Sequence, residues 1–580
     1  MLFNTPLFIF AFLPVGFLGY FILQAYAKNP LFPKLWLVLA SLFFYAFWNV
    51  KYLSLLVGSI IFNYFVALKI TQPNAYKKLW LILGLIANVS LLGFFKYTDF
   101  FLTNFNLIWK SHFETLHLIL PLAISFFTLQ QIAYLMDAYK QNQIHAAQNE
   151  RESENAPILL NPPTSFFSFS HFLDYALFVS FFPQLIAGPI VHHSEMMPQF
   201  KDKNNQFLNY RNIALGLFIF SIGLFKKVVI ADNIAHFADF GFDKAANLSF
   251  IQAWMASLSY SFQLYFDFSG YCDMAIGIAL FFNIKLPINF NSPYKALNIQ
   301  DFWRRWHITL SRFLKEYLYI PLGGNRVKEL IVYRNLILVF LIGGFWHGAG
   351  WTFIIWGLLH GIALSVHRAY SHTARKFHFT MPKILAWLIT FNFINLAWVF
   401  FRAKNLESAL KVLNWHGAGW TFIIWGLLHG IALSVHRAYS HTARKFHFTM
   451  PKILAWLITF NFINLAWVFF RAKNLESALK VLKGMVGLNG VSLCHLSQEA
   501  SEFLNRVNDN MIMHTMMYAS PTFKMCVLMV IISFCLKNSS HLYQSNQMDW
   551  IKTTSACLLL SVGFLFIFAS SQSVFLYFNF

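Results

Sequence analysis

The segment Trp346–His360 reads WHGAGWTFIIWGLLH and places two histidines, His347 and His360, in an apolar stretch of membrane length. A histidine is costly inside a bilayer-spanning helix, so an ionisable residue there is by default a candidate for function. The segment also recurs, because residues 346–413 and 415–482 are identical, with only Asn414 between them. The chain therefore carries two copies of the segment that most resembles a functional site.

Composition assigns the chain to the polytopic membrane proteins. Of its 580 residues, 57% are hydrophobic and 12% are charged, whereas a soluble globular chain has about 25% charged residues. The net charge of +21 would suggest nucleic-acid binding in a soluble protein. Here the basic residues lie in short segments between apolar runs, as in Lys226-Lys227 and Arg304-Arg305. This distribution indicates cytoplasmic loops beside anionic lipid, with the bilayer as partner and no nucleic acid.

Apolar runs of about 17–25 residues predict membrane-spanning helices. Such runs, some of them short enough to be re-entrant or tilted, lie near 6–26, 35–50, 53–70, 79–97, 117–138, 172–190, 213–231, 251–282, 331–345, 351–367, 384–401, 420–436, 453–470, 523–537 and 556–570. The sequence thus predicts an all-α polytopic membrane protein. The five cysteines have no paired spacing, so neither a disulfide framework nor a metal site is predicted.

The predicted organisation has six parts. They are N-terminal transmembrane helices (1–140), a polar loop (141–165), a core with an interfacial platform (166–345), a histidine-bearing helix pair (346–414), its identical duplicate (415–483), and a C-terminal loop with transmembrane helices (484–580). The platform, residues 285–328, is too polar to span a bilayer yet rich in aromatic residues, so it must be covered by protein or face a water-filled cavity. We predict an interfacial helix over Asp301–Tyr319, followed by a turn at Pro321–Asn325.

His360 is the candidate base on chemical grounds. Gly357 and Gly361 flank it and leave room for a substrate or a second helix to approach. Neutral imidazole can take a proton from a hydroxyl or a thiol near neutral pH, which suits acyl transfer. The alternative is a histidine that hydrogen-bonds across helices and only supports packing.

His347 is the secondary candidate, with a position at the membrane interface as its alternative interpretation. His416 and His429 occupy the equivalent positions in the second copy, and the same arguments apply to them. The basic loop at 367–378 also contains histidines, but their spacing matches no tight metal motif, and it indicates a solvated cytoplasmic face.

Asp267 and Asp273 are carboxylates inside an apolar, aromatic run. Such groups usually pair with a cation or hydrogen-bond a helix end. We predict Arg304, Arg305 and Arg312 as partners, and a direct role of the carboxylates in substrate handling is the alternative. The sequence contains no P-loop, no GxSxG and no zinc signature, so ATP use and serine hydrolysis have no support.

Seven short strings occur in order along the chain. They are SFFPQLIAGPI (180–190), YFDFSGY (265–271), DFWRRWH (301–307), YIPLGGNR (319–326), FWHG (345–348), WGLLHG (356–361) and WVFFRA (398–403). Together they resemble the membrane-bound O-acyltransferase family, and within it the alginate O-acetylation and peptidoglycan O-acetyltransferase branch. The resemblance covers most of the chain, roughly residues 1–480 and the tail.

The resemblance implies a multi-helix bundle with a central tunnel and re-entrant or interfacial helices. His360 matches the invariant histidine of the family, which sits in that tunnel and would act as base or acyl relay. Relatives that transfer D-alanine to teichoic acid carry a further histidine in the next span, where this chain has Asn392. That departure favours the acetyl branch.

The same resemblance implies roles for other residues, partners and donor. The Asp267 region, Arg304, Arg305 and His307 would line the tunnel and hold the donor. No cofactor would be bound, and the acetyl group would come from acetyl-CoA or another cytoplasmic donor. A periplasmic or membrane-anchored esterase-like partner would complete its transfer to a glycan hydroxyl.

The sequence therefore predicts a multi-pass acyltransferase of the bacterial inner membrane that O-acetylates a cell-envelope polysaccharide, either peptidoglycan or an alginate-like glycan. One alternative changes the acceptor to a lipid or a protein. Another is a transporter or flippase for an acyl or glycan precursor, which would predict inverted repeats, whereas the repeat seen is direct. A third is a form inactivated by its duplication. Copy one is favoured for the site because its link to the upstream platform is unbroken.

Overall fold

The computed structural model describes residues 1–72, 76–149, 168–239, 250–376, 381–402, 483, 538–544 and 549–569, and the regular structure in these ranges is entirely helical. The helices are α1 Leu13–Tyr26, α2 Leu31–Ala46, α3 Leu53–Thr71, α4 Lys77–Trp109, α5 Ile124–Asn149, α6 Phe169–Ser180, α7 Phe182–Leu185, α8 His193–Lys201, α9 Tyr210–Leu224, α10 Asp232–Asp239, α11 Phe250–Phe281, α12 Ile299–Arg305, α13 Ile308–Leu314, α14 Glu329–His347, α15 Trp351–Lys376, α16 Lys383–Arg402, α17 Ser539–Gln544 and α18 Trp550–Ala569. Segments of π-helix precede α1 at Phe8–Phe12, follow α9 at Phe225–Ala231 and follow α13 at Lys315–Tyr319. The predicted all-α fold is confirmed.

Seven helical stretches within the described ranges are long and apolar enough to cross a membrane. They are Phe8–Tyr26, Val50–Thr71, Lys77–Trp109, Tyr210–His236, Ser259–Phe281, Glu329–His347 and Trp550–Phe568. Each coincides with a predicted apolar run, and α2 is a shorter apolar helix. The second copy, 415–482, and the runs near 420–436, 453–470 and 523–537 lie outside the described residues.

Several predicted boundaries differ from the structure; the run near 117–138, for example, becomes helical only at Ile124. The apolar run near 172–190 is divided at Phe181, between α6 and α7, where the Phe182 N–H donates to Ser41 Oγ (3.2 Å). Ser41 thus replaces the backbone partner that this N–H would have in a continuous helix. The predicted polar loop at 141–165 begins inside α5, which continues to Asn149.

Glycine seams set the closest helix contacts. On α9, Gly216 faces Gly277 of α11, and Gly223 faces Gly270. A Cβ added to Gly216 would lie 2.6 Å from the Gly277 carbonyl oxygen, and one added to Gly223 would lie 2.6 Å from the Gly270 oxygen. Small residues allow backbones to approach in this way inside a membrane, where van der Waals contact drives helix association.

A second seam joins α14 to α15. Gly344 lies against Gly357, and a Cβ added to Gly361 would lie 2.8 Å from the Ile337 Cα atom. The space that the glycines leave beside His360 is therefore filled by the backbone of α14. Of the two possibilities that the sequence left open, a substrate or a second helix, the structure shows the helix.

Two buried ion pairs cross the α9–α11 interface. Lys226 Nζ donates to Asp273 Oδ2 and Lys227 Nζ donates to Asp267 Oδ1, each at 2.6 Å. Lys227 also contacts Asp232 Oδ1 (2.8 Å). The lysines belong to the π-helical segment that continues α9, so the prediction that they occupy a loop is wrong. The glycine seam brings this segment close enough to α11 for the lysine side chains to reach its carboxylates.

The predicted pairing of these aspartates with arginines of the platform is also wrong. Arg305 Nε donates to Asp301 Oδ1 (2.9 Å) on the same helix, and Arg312 makes a two-pronged contact with Glu195 (2.6 and 3.0 Å). The partners of Asp267 and Asp273 are therefore the lysines that follow α9, and not the arginines of α12 and α13.

Many residues of the platform are buried, but its predicted helix is broken. In place of one helix over Asp301–Tyr319, α12 ends at Arg305 and α13 begins at Ile308. His307 lies between them with φ +45°. The Asn289 side-chain oxygen accepts bonds from the Thr309 N–H (3.2 Å) and the Thr309 hydroxyl (3.0 Å), so it satisfies the start of α13.

Basic residues concentrate at one end of the bundle. Arg368 of α15 bonds Glu329 at the start of α14 (2.8 Å), and Tyr97 of α4 bonds the Phe345 carbonyl near its end (2.8 Å), so α4 and α14 begin at the same end. Basic residues at this end are Lys77, Lys78, Lys140, Lys201, Arg312, Lys315, Arg326, Lys328 and Arg368. At the other end there are fewer: Lys110 lies in the segment 110–123, Lys51 precedes Tyr52, whose hydroxyl donates to the Ile119 carbonyl, and Arg402 follows Phe401, which packs on Phe353.

Gly223→Val should reduce the amount of folded protein, because its side chain would force α9 away from α11. Overpacking of this kind costs about 1–3 kcal/mol. The monodisperse fraction after detergent extraction measures the effect. Gly93→Val is the matched control, since a Cβ added there meets no atom within 4 Å. Equal yields of the two variants would contradict the seam.

Asp273→Asn should destabilise the protein strongly, because it leaves the Lys226 ammonium buried without its carboxylate. Loss of one partner of a buried pair costs about 3–5 kcal/mol. Thermal unfolding of purified protein measures the loss. Adding Lys226→Met should recover much of it by removing the unpaired charge. If the double variant were less stable than the single one, the pair would not be the source of the effect.

Candidate active site

His360 lies in the middle of α15 and is buried, with 1% of its surface exposed. Its ring packs against Trp356, Trp303 and Phe393, with ring centroids 4.7, 5.1 and 5.2 Å away. These aromatic residues come from α15, α12 and α16, so three helices form the walls around the histidine. The platform thereby reaches the helix that carries the first copy of the repeated segment.

One hydrogen bond orients the His360 ring. Trp303 Nε1–H donates to His360 Nδ1 over 3.2 Å. Within the described residues, His360 Nε2 has no hydrogen-bond partner. Nε2 is therefore the polar atom of the ring that none of the described residues bonds. No local pattern in the sequence predicts this bond, because Trp303 and His360 lie on separate helices.

His347 ends α14 and is buried beside the same aromatic group. Its ring lies 5.2 Å from Trp356 and 5.4 Å from Phe401, measured between centroids. The structure thus brings His347 and His360 against the same indole ring, and both histidines are buried.

Lys96 of α4 fixes the end of the helix that bears His347. Its Nζ donates to the carbonyls of Trp346 (2.7 Å) and His347 (3.0 Å), and to Ser125 Oγ (3.3 Å). The last carbonyls of a helix have no partner within it and carry partial negative charge, so a cation is a favourable cap. Sequence reasoning missed Lys96, although a lysine within an apolar run is itself a signal for function or pairing.

A cavity of about 310 Å³ adjoins this cap. Lys96, Asp99, Gly348 and Phe353 are among the residues that line it. Phe353 packs on Phe401 with centroids 5.3 Å apart, and Phe401 packs on His347 at 5.4 Å, so two rings connect the cavity lining to this histidine. The cavity therefore opens beside the turn between α14 and α15, at the end of the bundle that has few basic residues.

His307 is fully buried in the platform and lies 6.4 Å from His347 between ring centroids. Its Nδ1 is 3.2 Å from Asn289 Oδ1. Burial lowers the pKa of His307 to about 3, so the ring is neutral near pH 7. His307 is thus the platform residue from the predicted site that does approach the histidine pair.

The other predicted site residues lie elsewhere or at the edge of what the structure describes. Asp267 is held by Lys227, Arg304 is exposed, and Arg305 bonds Asp301. Asn392 belongs to α16, one position before Phe393, but its side chain is outside the described part of the chain. His416 and His429 also lie outside the described residues.

The match to known proteins extends over most of the chain. The model of the membrane-bound O-acyltransferase family matches residues 105–410 and 414–479, and the second stretch falls almost wholly within the second copy. A protein of Helicobacter pylori named peptidoglycan O-acetyltransferase is 84% identical over all of this chain and 98% of its own length.

More distant relatives agree with this match. A probable alginate O-acetylase of Pseudomonas aeruginosa is 39% identical over 74% of this chain and 76% of its own length. A teichoic acid D-alanyltransferase of Bacillus subtilis is 28% identical over 39% of this chain and 60% of its own length. The resemblance found in the sequence motifs is confirmed: the chain belongs to the membrane-bound O-acyltransferase family.

Proposed function

We propose that this chain is an inner-membrane O-acetyltransferase that acetylates peptidoglycan. The observation that carries the proposal is the 84% identity, over the whole chain, to a protein named peptidoglycan O-acetyltransferase. The chain is an acyltransferase by family, and its apolar helices make it a multi-span membrane protein. The transporter alternative is not favoured, because the relatives compared above are named acyltransferases.

His360 is the proposed catalytic residue. It is buried where the platform meets α15, and one ring nitrogen is free of hydrogen bonds among the described residues. His347, which packs against Trp356 as His360 does, is the secondary candidate. The Asp267 ion pair supports the packing of α9 and α11, and we assign it that role before any role in substrate handling.

The donor and the partner belong to the same proposal. A cytoplasmic acetyl donor, such as acetyl-CoA, would supply the acyl group, and a periplasmic or membrane-anchored esterase-like protein would complete transfer to a glycan hydroxyl. A buried site between helices is consistent with this division, because it separates the reacting acyl group from water.

Deletion of this gene should lower the base-released acetate of purified peptidoglycan, and expression of the 580-residue chain should restore it. A chain with both His360→Ala and His429→Ala should reach the membrane in equal amount and restore none. Both copies are changed together so that neither supplies an unaltered ring. Full restoration by the double variant would refute the histidine assignment, and unchanged acetate on deletion would refute the function.

Removal of residues 415–483 should leave acetylation intact, because copy one already makes the contacts that join the platform to the histidine. The measurement is again base-released acetate, normalised to the protein present in the membrane. Loss of activity in the shortened chain, with activity in the full chain, would mean that the second copy supplies the site. Gain of activity on removal would identify the duplication as harmful to folding.

A further inference from the structure

We propose that Trp303 is a positioning residue that keeps the ring proton of His360 on Nε2, so that His360 serves acyl transfer as a hydrogen-bond donor and not as a base. The inference rests on the proposed function. It departs from the role of base that the sequence suggested for the same ring.

The argument begins with the chemistry of the two partners. An indole N–H can only donate, so His360 Nδ1 must accept the 3.2 Å bond through its lone pair. A neutral imidazole carries one proton, and it must then sit on Nε2. The free edge of the ring therefore presents an N–H group and has no lone pair to take a proton from a hydroxyl.

The surroundings keep this arrangement in place. Trp303 is itself buried between Phe340 and Trp356, with ring centroids 5.0 and 5.8 Å away, so its indole cannot swing aside without repacking. Four rings face His360: Trp303 of α12, Phe340 of α14, Trp356 of α15 and Phe393 of α16. None of these side chains has a group that titrates near neutral pH. The nearest titratable ring, that of His347, packs against Trp356 with centroids 5.2 Å apart.

This arrangement is the reverse of the one that makes histidine a base. In a serine–histidine–aspartate triad, a carboxylate accepts the Nδ1 proton, which leaves the Nε2 lone pair free for the nucleophile. Here a donor occupies Nδ1. Because its Nδ1 is bonded by a donor and not by an acceptor, the imidazole presents an N–H group at Nε2 in place of a lone pair.

The transfer balances with this assignment. The acceptor hydroxyl oxygen bonds to the acyl carbon, the bond from that carbon to the leaving group of the acetyl donor breaks, and the hydroxyl proton ends on that leaving group. His360 keeps its own proton and donates Nε2–H to the acyl oxygen, where negative charge develops. Loss of one such donor typically lowers the rate by about 10²–10³.

His360→Gln separates the two roles. The glutamine amide oxygen can accept from Trp303, which leaves an N–H group near the position of Nε2, and an amide is no base. We expect this variant to retain acetylation on the order of tenfold above His360→Ala, which loses the donor as well. Each substitution is made at residue 429 too, and acetate is normalised to membrane abundance.

Trp303→Phe tests the positioning role directly. It keeps an aromatic ring but removes the indole donor, so the amide of His360→Gln is no longer oriented, and its activity should fall to that of His360→Ala.

The outcomes are distinct. If His360→Gln is folded, abundant and as inactive as His360→Ala while the unaltered chain is active, the donor role is overturned and the proposed function stands. Activity of His360→Gln that is unaffected by Trp303→Phe would overturn the role of Trp303 alone. Failure of the unaltered chain to restore acetate would remove the proposed function and this inference with it.

Discussion

Ammonium groups inside the bundle must bond to oxygen atoms of the protein, because hydrocarbon cannot solvate a charge. Lys226 and Lys227 meet this requirement with carboxylates of α11, and Lys96 meets it with the last carbonyls of α14. Each of these bonds joins two helices that are distant in sequence. The cap made by Lys96 has the widest effect, because it fixes the end of α14 and hence the turn into α15, the helix that carries His360.

The site is built from aromatic rings around a single polar contact. Trp356 contacts both His347 and His360, and Trp303, on α12 of the platform, packs against His360. Rings of this size bury a large apolar surface and prefer edge-to-face contact, so the histidines are held by shape as well as by bonds. The hydrogen bond from Trp303 then determines which edge of His360 is free. Copy one makes all of these contacts.

Local patterns predicted the parts of the fold that depend on local chemistry. Apolar runs predicted the helices, and the polar, aromatic segment at 285–328 predicted a covered platform. The break at His307 was missed because it depends on Asn289, whose side chain satisfies the start of α13 from a remote position. The partners of Asp267 and Asp273 were misassigned because the glycine seam, and not sequence distance, brings the lysines to them.

The candidate site, too, could be predicted from the sequence only in part. The motif around His360 predicted this residue as the catalytic one; the structure adds that its ring is buried. The bond from Trp303 joins two helices far apart in the chain, so no periodicity or spacing could reveal it. Lys96 had a visible signal, a cation in an apolar run, but its partners are backbone atoms, and no residue pattern encodes those.

The uneven distribution of basic residues along the bundle has a consequence for its orientation. In bacterial membrane proteins, short loops rich in lysine and arginine remain in the cytoplasm. In the proposed inner-membrane protein, the end that carries Arg368, Lys328 and Lys77 would then be the cytoplasmic one. The cavity beside Lys96 and the turn at 348–350 would face outward, toward the side of the membrane where the cell wall is assembled.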